Sequence, residues 1–288
     1  MRVHHIDCAT LCPVSARLMN GRGGWFEPAR MVCHCLVVEG KDGLVLVDTG
    51  LGAGDVDDPN GRLGRLFVRV TRPRLLREQT ALAQIERLGF KREDVRHIVP
   101  THLDLDHVGG LSDFPAAQVH VFEPELRAAM QRKTAGERGR YRVSQLSHGP
   151  RWKPHEVAGD RWLGFDRVRV IGEDVALVPL VGHTRGHCAV AVKDERGWLL
   201  HAGDAYFFHG EVDPIAPRST RGLALFQRLV AVDDALRREN QVRLRSLVRD
   251  HGAEVRVFCA HDPVELDAFV AQAVHDDPVL TTPFVAQA

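Results

Sequence analysis

The 288-residue sequence predicts one mixed α/β (α+β) domain, because short apolar runs typical of β-strands are interspersed with segments of helical periodicity. Apolar residues make up 44% of the chain and charged residues 26%, which is an ordinary composition for a globular protein. No internal repeat and no Ser/Gly-rich linker divides the chain. We therefore assign residues 1–288 to a single domain.

The individual elements follow from periodicity and turn residues. Two apolar runs within residues 31–49 flank a Gly-Lys-Asp-Gly tip, which predicts a β-hairpin. Apolar residues at helical spacing predict a helix over 78–88 that ends at Gly89, and Pro124 favours the first turn of a helix that runs to residue 130. Further elements are predicted as strands at 95–100, 118–122, 167–171, 175–180, 188–193, 197–202 and 255–259, and as one long helix at about 223–250.

Two polar, Arg-rich stretches interrupt this pattern, and we interpret them as lid insertions on a core of about residues 31–265. They are residues 53–77 and residues 131–164. The basic segment 132–142 is expected to be a solvated lid surface, or to steer an anionic substrate. An apolar part of the lid could also serve as a homodimer contact.

Charge and cysteine content exclude several classes of protein. Lys and Arg together number 38, as do Asp and Glu, so the net charge is zero. The chain therefore lacks the excess of basic residues that is typical of proteins that bind nucleic acid or an anionic membrane. No apolar run approaches the roughly 20 residues of a membrane span, and the first residues lack the pattern of a signal peptide. The six cysteines form no CxxC motif, which favours reduced thiols in the cytoplasm. We expect a small-molecule substrate.

Histidine and aspartate side chains follow several of the predicted strands. Residues 102–107 read HLDLDH, residues 182–187 read GHTRGH, and Asp204 and His261 follow two later strands. Several strand ends that carry such side chains can assemble a metal site at one edge of a sheet.

Together with VDTG at 47–50, these segments resemble, in order, the motifs of the metallo-β-lactamase-fold hydrolases. The resemblance implies a four-layer αβ/βα sandwich with two divalent metal ions at one edge between the sheets. Carried over position by position, it implies one ion held by His102, Asp104 and His187, a second held by Asp106, His107 and His261, and Asp204 bridging both. It also implies that Asp48 and His183 support the ligands from behind.

The departure from the family motif is Asp104, where these hydrolases usually have histidine. Two divalent ions, two carboxylates and a bridging hydroxide leave one positive charge in the usual site, and the extra carboxylate reduces it to zero. A neutral site withdraws less electron density from its water, so the hydroxide should form less readily but attack better. An oxygen ligand also shifts the preference from zinc, the ion we expect, toward manganese or iron.

This resemblance predicts a binuclear metal-dependent hydrolase that acts on a carboxylic ester or lactone, including acyl-homoserine-lactone-like compounds. Asp106 would orient the attacking hydroxide and help to move protons. Tyr206 lies two residues after Asp204, whereas some lactonases of the family place a tyrosine three residues after this aspartate to bond the substrate's carbonyl. Tyr206 is therefore a candidate for that contact, with packing at the pocket wall as the alternative.

Two other functions stay open from the sequence alone. Asp104 partly resembles the glutamate of the diiron flavoproteins of this superfamily, which makes a non-haem iron redox protein possible. Such a protein would need a separate electron donor, because no flavodoxin-like domain follows His261. The second alternative is a non-catalytic ligand-binding protein on the same fold.

Overall fold

Two six-stranded sheets form the centre of the fold in the computed structural model, which describes residues 1–276. The strands of the first sheet lie in the order of the chain: β1 (Val3–Leu11), β2 (Met31–Gly40), β3 (Gly43–Val47), β4 (Val95–Val99), β5 (Gln118–Phe122) and β6 (Arg151–His155). Those of the second sheet lie in reverse order: β12 (Val255–Phe258), β11 (Gly197–His201), β10 (Cys188–Asp194), β9 (Val175–Pro179), β8 (Phe165–Ile171) and β7 (Asp160–Trp162).

Eleven α-helices accompany the sheets within the described residues. The helices before β6 are α1 (Ala16–Met19), α2 (Ala53–Asp57), α3 (Pro59–Arg62), α4 (Arg65–Thr71), α5 (Ala81–Arg87), α6 (Glu123–Gln131), α7 (Ala135–Arg140) and α8 (Val143–Leu146). The helices after β11 are α9 (Arg221–Val230), α10 (Asp234–His251) and α11 (Pro263–Asp276). No helix among residues 1–276 combines the length and apolarity that crossing a membrane requires.

The alternation of side chains along the strands builds four layers. On β2, Leu36 and Val38 face the second sheet, where they pack in one buried cluster with residues such as Leu177 and Val190. The intervening Cys35 and Val37 belong to another buried cluster on the opposite face of the sheet. That cluster contains residues of α5 and α6, and a corresponding cluster joins the outer face of the second sheet to α10. The order of the layers is therefore helix, sheet, sheet, helix, as the family resemblance implied.

The insertions, expected as helical and loop segments, contain helices, but the structure differs from the sequence prediction in the edge strands of the second insertion and in the long helix. Residues 53–77 contain α2, α3 and α4, while residues 131–164 contribute α7 and α8 and also the edge strands β6 and β7. The helix predicted over 223–250 is two helices, because Asp233 caps the N-terminus of α10 by accepting a hydrogen bond from Leu236 N at 3.0 Å. At this break, the backbone N–H groups of residues 232 and 233 donate to the carbonyl groups of His183 and Gly182.

Candidate metal centre

The side chains of the motifs meet at one edge of the two sheets. Asp48 directly follows β3, and residues 101–107 follow β4 after Pro100. Residues 182–187 connect β9 to β10, and Asp204 and His261 follow β11 and β12. Parallel pairing of β3 with β4 and of β11 with β12 places the carboxyl ends of these strands side by side. Residues far apart in the sequence therefore converge at this edge.

One group of four side chains has the spacing of a tetrahedral metal site. It consists of His102, Asp104, His183 and Asp204. His102 Nε2 lies 3.3 Å from Asp104 Oδ2 and 3.8 Å from Asp204 Oδ2, and His183 Nε2 lies 3.1 and 3.3 Å from the same two oxygens. Ligands about 2.0–2.1 Å from a zinc ion in tetrahedral geometry would be about 3.3 Å apart. The four atoms are thus arranged to hold one ion.

A second group shares Asp204 through its other oxygen. Asp204 Oδ1 lies 3.4 Å from His107 Nε2 and 3.2 Å from His261 Nε2. Asp106 Oδ2 lies 3.7 Å from His261 Nε2, and Asp106 also groups with His261 and the buried thiol of Cys33. One carboxylate therefore faces both groups with one oxygen each, which is the geometry of a bridging ligand.

Unpaired buried atoms support a metal at this position. Three of the atoms that face one another in the two groups are buried and have no hydrogen-bond partner within residues 1–276: His102 Nε2, His107 Nε2 and Asp204 Oδ1. Buried polar atoms are nearly always bonded, so such a concentration indicates a missing partner. Imidazole nitrogens and carboxylate oxygens are the donors that zinc and similar divalent ions accept, and the residues present fit such ions.

Asp48, expected behind the ligands, is hydrogen-bonded to His107. Its Oδ2 accepts a hydrogen bond from His107 Nδ1 at 2.8 Å, and its Oδ1 accepts one from Thr101 N at 2.7 Å. Burial alone would raise the pKa of Asp48, but the neighbouring His107 outweighs it and lowers the pKa. The ionised carboxylate keeps the proton of His107 on Nδ1, so that Nε2 faces the cluster with a free lone pair.

Glu125 is a residue of the site that the sequence analysis missed. Its buried carboxylate accepts hydrogen bonds from Leu103 N and Gly186 N, both at 3.0 Å. It thereby ties the loop of His102 to the loop of His183. A Cβ atom at Gly186 would lie 2.2 Å from Glu125 N, so only glycine allows this approach. The sequence carried no signal for Glu125 beyond an acidic residue in the first turn of a helix.

The structure arranges the two histidines of the GHTRGH segment differently from the expectation. His183, expected behind the ligands, belongs to the first group. His187, expected as a ligand, accepts a hydrogen bond from Asp204 N at Nε2 (2.9 Å) and donates from Nδ1 to Leu180 O (3.0 Å). Both of its nitrogens are therefore used by the backbone, and its position supports Asp204 rather than an ion.

Tyr206 is placed away from the cluster, which contradicts its proposed contact with substrate. The side chain is 0% exposed, and its hydroxyl donates to Glu265 Oε1 at 2.8 Å. The next residue, Phe207, faces the site instead and stacks on His261 with ring centroids 5.0 Å apart. A narrow cleft beside this ring pair is lined by Met31, Phe207, Phe208, Leu223, His261 and Val264, among others. The burial of Tyr206 and its bond to Glu265 favour the alternative, a packing role.

The basic segment 132–142 is not entirely the solvated surface expected from the sequence. Arg140, at the end of α7, has a side chain only 13% exposed, and its Nη1 lies 3.2 Å from Asp104 Oδ2. Nη1 also donates to His183 O at 3.0 Å, and Nη2 donates to Val230 O. The net charge of zero counted from the sequence for a metal centre with Asp104 therefore omits the positive charge of Arg140.

The electrostatic environment keeps the carboxylates ionised. Burial would raise the pKa of Asp204, yet His261, His107 and His183 together hold it well below the usual range. Burial would likewise raise the pKa of Asp104, but Arg140 and His102 hold it well below the usual range. Burial, assisted by Arg140, lowers the pKa of His183 to about 4, so this ring is a neutral nitrogen donor at pH 7. Neutral imidazole and ionised carboxylate are the forms that bind metals.

The fold and this arrangement of side chains define a class: residues 29–261 match the family model of the metallo-beta-lactamase superfamily, and the chain belongs to that family. A probable metallo-hydrolase of Mycobacterium tuberculosis is 44% identical over 91% of this chain and 81% of its own length. The N-acyl homoserine lactonase AttM of Agrobacterium fabrum is 27% identical over 91% of this chain and 94% of its own. The fold matches a solved N-acyl homoserine lactone hydrolase with bound N-hexanoyl-L-homoserine, with a TM-score of 0.69 and 21% identity over 92% of this chain and 95% of that one.

Proposed function

We propose that this metallo-hydrolase is a binuclear enzyme that opens a lactone or cleaves a carboxylic ester. The observation that carries the proposal is Asp204, whose two oxygens face two separate groups of ligand atoms. The ligands of one ion would be His102, Asp104 and His183, those of the other would be Asp106, His107 and His261, and Asp204 would bridge them. We propose zinc as the ion, with manganese or iron as the alternatives that the oxygen ligand Asp104 allows.

Divalent ions bound here would polarise the substrate's carbonyl oxygen and bring the pKa of water to about 7. The chain's own residues hold the ligands rigidly, because Asp48, Glu125 and His187 fix their orientation from behind. Asp106 is the proposed proton carrier, since its side chain is 14% exposed while the ring of His261 beside it is 2% exposed. Its carboxylate can therefore exchange protons with solvent at the mouth of the site.

The substrate class is proposed from the relatives. The cleft beside His261 has Phe207, Phe208 and Leu223 in its wall, but it has room for only about one water molecule and does not by itself indicate a substrate. Relatives named as N-acyl homoserine lactonases align with most of this chain, and the structural match extends over 92% of it. Because Tyr206 is buried elsewhere, polarisation of the carbonyl would depend on the ions and not on a tyrosine hydroxyl.

The test is a turnover assay on the zinc-loaded enzyme with a small panel of substrates. The panel contains N-hexanoyl homoserine lactone, γ-butyrolactone, p-nitrophenyl acetate and bis(p-nitrophenyl) phosphate, and ring opening is followed by acid release at constant pH. We expect the acyl lactone to be turned over fastest, and the His102→Ala, His107→Ala double variant to be inactive. Turnover of the phosphodiester alone, or no turnover above the double variant, would contradict the proposed substrate class.

Location and assembly are proposed on separate grounds. All six cysteines are unpaired, which is consistent with the reducing cytoplasm expected from the sequence. A homodimer is also proposed. Candidates for the dimer interface are exposed apolar side chains such as Leu66, in the insertion of residues 53–77, and Leu229, on α9. Sedimentation of the purified protein would test the dimer.

A further inference from the structure

The contact between Arg140 and Asp104 joins the insertion of residues 131–164 to the metal centre. One nitrogen, Arg140 Nη1, lies 3.2 Å from Asp104 Oδ2 and 3.0 Å from the carbonyl oxygen of His183. The other, Nη2, donates to Val230 O at the end of α9. The guanidinium thus contacts the loop of Asp104, the loop of His183 and the end of helix α9.

The helix that carries Arg140 is itself anchored beside the site. Thr134 and Glu137 form a reciprocal capping box at the start of α7. Glu137 also accepts a hydrogen bond from Arg185 Nε at 2.6 Å, and Arg185 lies in the same loop as His183. The pair of Glu137 with Arg185 and the hydrogen bond from Arg140 to His183 O therefore join α7 to this loop.

Asp104 needs such a partner. Its Oδ2 lies within 3.3 Å of both His102 Nε2 and His183 Nε2 and is also the oxygen that Arg140 contacts, and its buried Oδ1 has no hydrogen-bond partner within the described residues. A buried carboxylate is costly without a compensating charge. Arg140 supplies that charge through a planar group whose several donors match the fixed acceptors around it.

We infer that Arg140 is a positioning residue that orients Asp104 as a metal ligand and balances its charge, so that the pair acts as one neutral unit of the metal centre. This inference rests on the proposed role of Asp104 as a ligand. With Arg140 included, the centre keeps the single positive charge that the carboxylate of Asp104 would otherwise cancel. The attacking hydroxide would then form as readily as in a site without the extra carboxylate.

Zinc binding in a set of variants tests the inference without using turnover. Zinc content and affinity are measured by competition with a chelator for wild type, Asp104→His, and Asp104→His combined with Arg140→Met. Histidine is a neutral ligand, so the single variant leaves the buried guanidinium without a counter-charge beside the incoming ions. We expect it to bind one of its two zinc ions at least tenfold more weakly. The double variant removes both charges and should return to within about threefold of wild type. Arg138→Met, an exposed arginine of the same helix, is the control and should change nothing.

The melting temperature of the chelator-treated protein gives a second readout if the histidine variant does not fold. Asp104→Asn and Arg140→Met should each lower it by about 5 °C or more, and the double variant should lower it by less than the sum. Additive losses of melting temperature would overturn the inference. So would an Asp104→His variant that binds zinc like wild type. A third contrary result would be an Asp104→His, Arg140→Met variant that binds zinc no better than Asp104→His alone. An absence of lactone turnover would overturn the proposed substrate and leave these results valid.

Discussion

Replacing Asp48 by asparagine should weaken the metal centre without removing any ligand. Asp48 Oδ2 accepts from His107 Nδ1 at 2.8 Å and from Thr101 Oγ1 at 2.9 Å, and Oδ1 accepts from Thr101 N at 2.7 Å. Asparagine has nearly the same shape but offers one oxygen and one NH₂ group. Three donors face the carboxylate, so the NH₂ group must meet at least one of them.

The magnitude follows from what His107 loses. A hydrogen bond to a charged acceptor contributes about 1.5–3 kcal/mol, and a neutral one about 1 kcal/mol. Without the carboxylate, the proton of His107 can move to Nε2, the atom that faces Asp204, and this tautomer cannot bind a cation there. Loss of such a partner typically costs 10- to 100-fold in metal affinity, which is about 1.4–2.8 kcal/mol.

The assay is competition for zinc between the protein and a chromophoric chelator, performed on wild type and Asp48→Asn. Asp113→Asn is a matched control, because Asp113 is also buried and accepts a backbone hydrogen bond, from Ala53 N at 2.9 Å, but contacts neither group of ligands. The control should lose stability and keep its zinc affinity. An Asp48→Asn variant that binds zinc within twofold of wild type would refute the claim that Asp48 orients His107.

Three further predictions concern stability and the roles of individual residues. Between pH 7 and pH 5, the free energy of unfolding of the chelator-treated protein should fall by about 2 kcal/mol from His5 alone, measured by urea titration. Burial, with Arg256 nearby, lowers the pKa of His5 to about 3, whereas the unfolded chain takes up this proton below pH 6.5. Tyr206→Phe should leave KM and kcat within threefold of wild type and lower the melting temperature, because Glu265 loses a buried donor. His183→Ala should release one zinc ion at nearly unchanged stability, and His187→Ala should destabilise the fold, as metal analysis and thermal melts would record.

Each of these predictions has a clear contrary result. His5→Gln should reduce the acid loss of stability by about 2 kcal/mol, and an unchanged loss would assign it to other buried histidines such as His120. A tenfold rise in KM for Tyr206→Phe would restore the substrate contact expected from the sequence. Loss of zinc in His187→Ala with an unchanged melting temperature would return His187 to the ligands.

Most of the strands were predictable because they depend on local patterns, whereas the four-layer fold and the position of the site at its edge were implied by the family resemblance. The hairpin of β2 and β3, the strand β5 and the strands β8 to β12 follow from apolar runs and turn residues, and the structure has them within about two residues of the predicted bounds. The strand β1 was not predicted, since His5 and Asp7 interrupt its apolar pattern. Both have buried partners: His5 bonds to His34, and Asp7 accepts from Cys33 N and Thr10 Oγ1.

The finer details of the site depend on tertiary contacts that spacing does not encode. The GHTRGH segment offers two histidines of equal chemistry, and only the hydrogen bond from Asp204 N separates the role of His187 from that of His183. Arg140 lies 36 residues beyond Asp104 in a segment rich in arginine, so its burial follows from the packing of α7 and α9 and not from its neighbours in sequence. Glu125 was missed for the same reason.

The most direct test of the account is the metal content of the protein, purified without added metal or chelator, for wild type and Asp204→Asn. We expect two divalent ions per chain in wild type, mainly zinc, and weaker binding of both ions in the variant, because one carboxylate serves both groups. A single ion per chain in wild type, or two ions retained by Asp204→Asn, would contradict the binuclear centre. Two iron ions per chain in a coloured protein would keep the centre and replace the hydrolase with the redox function.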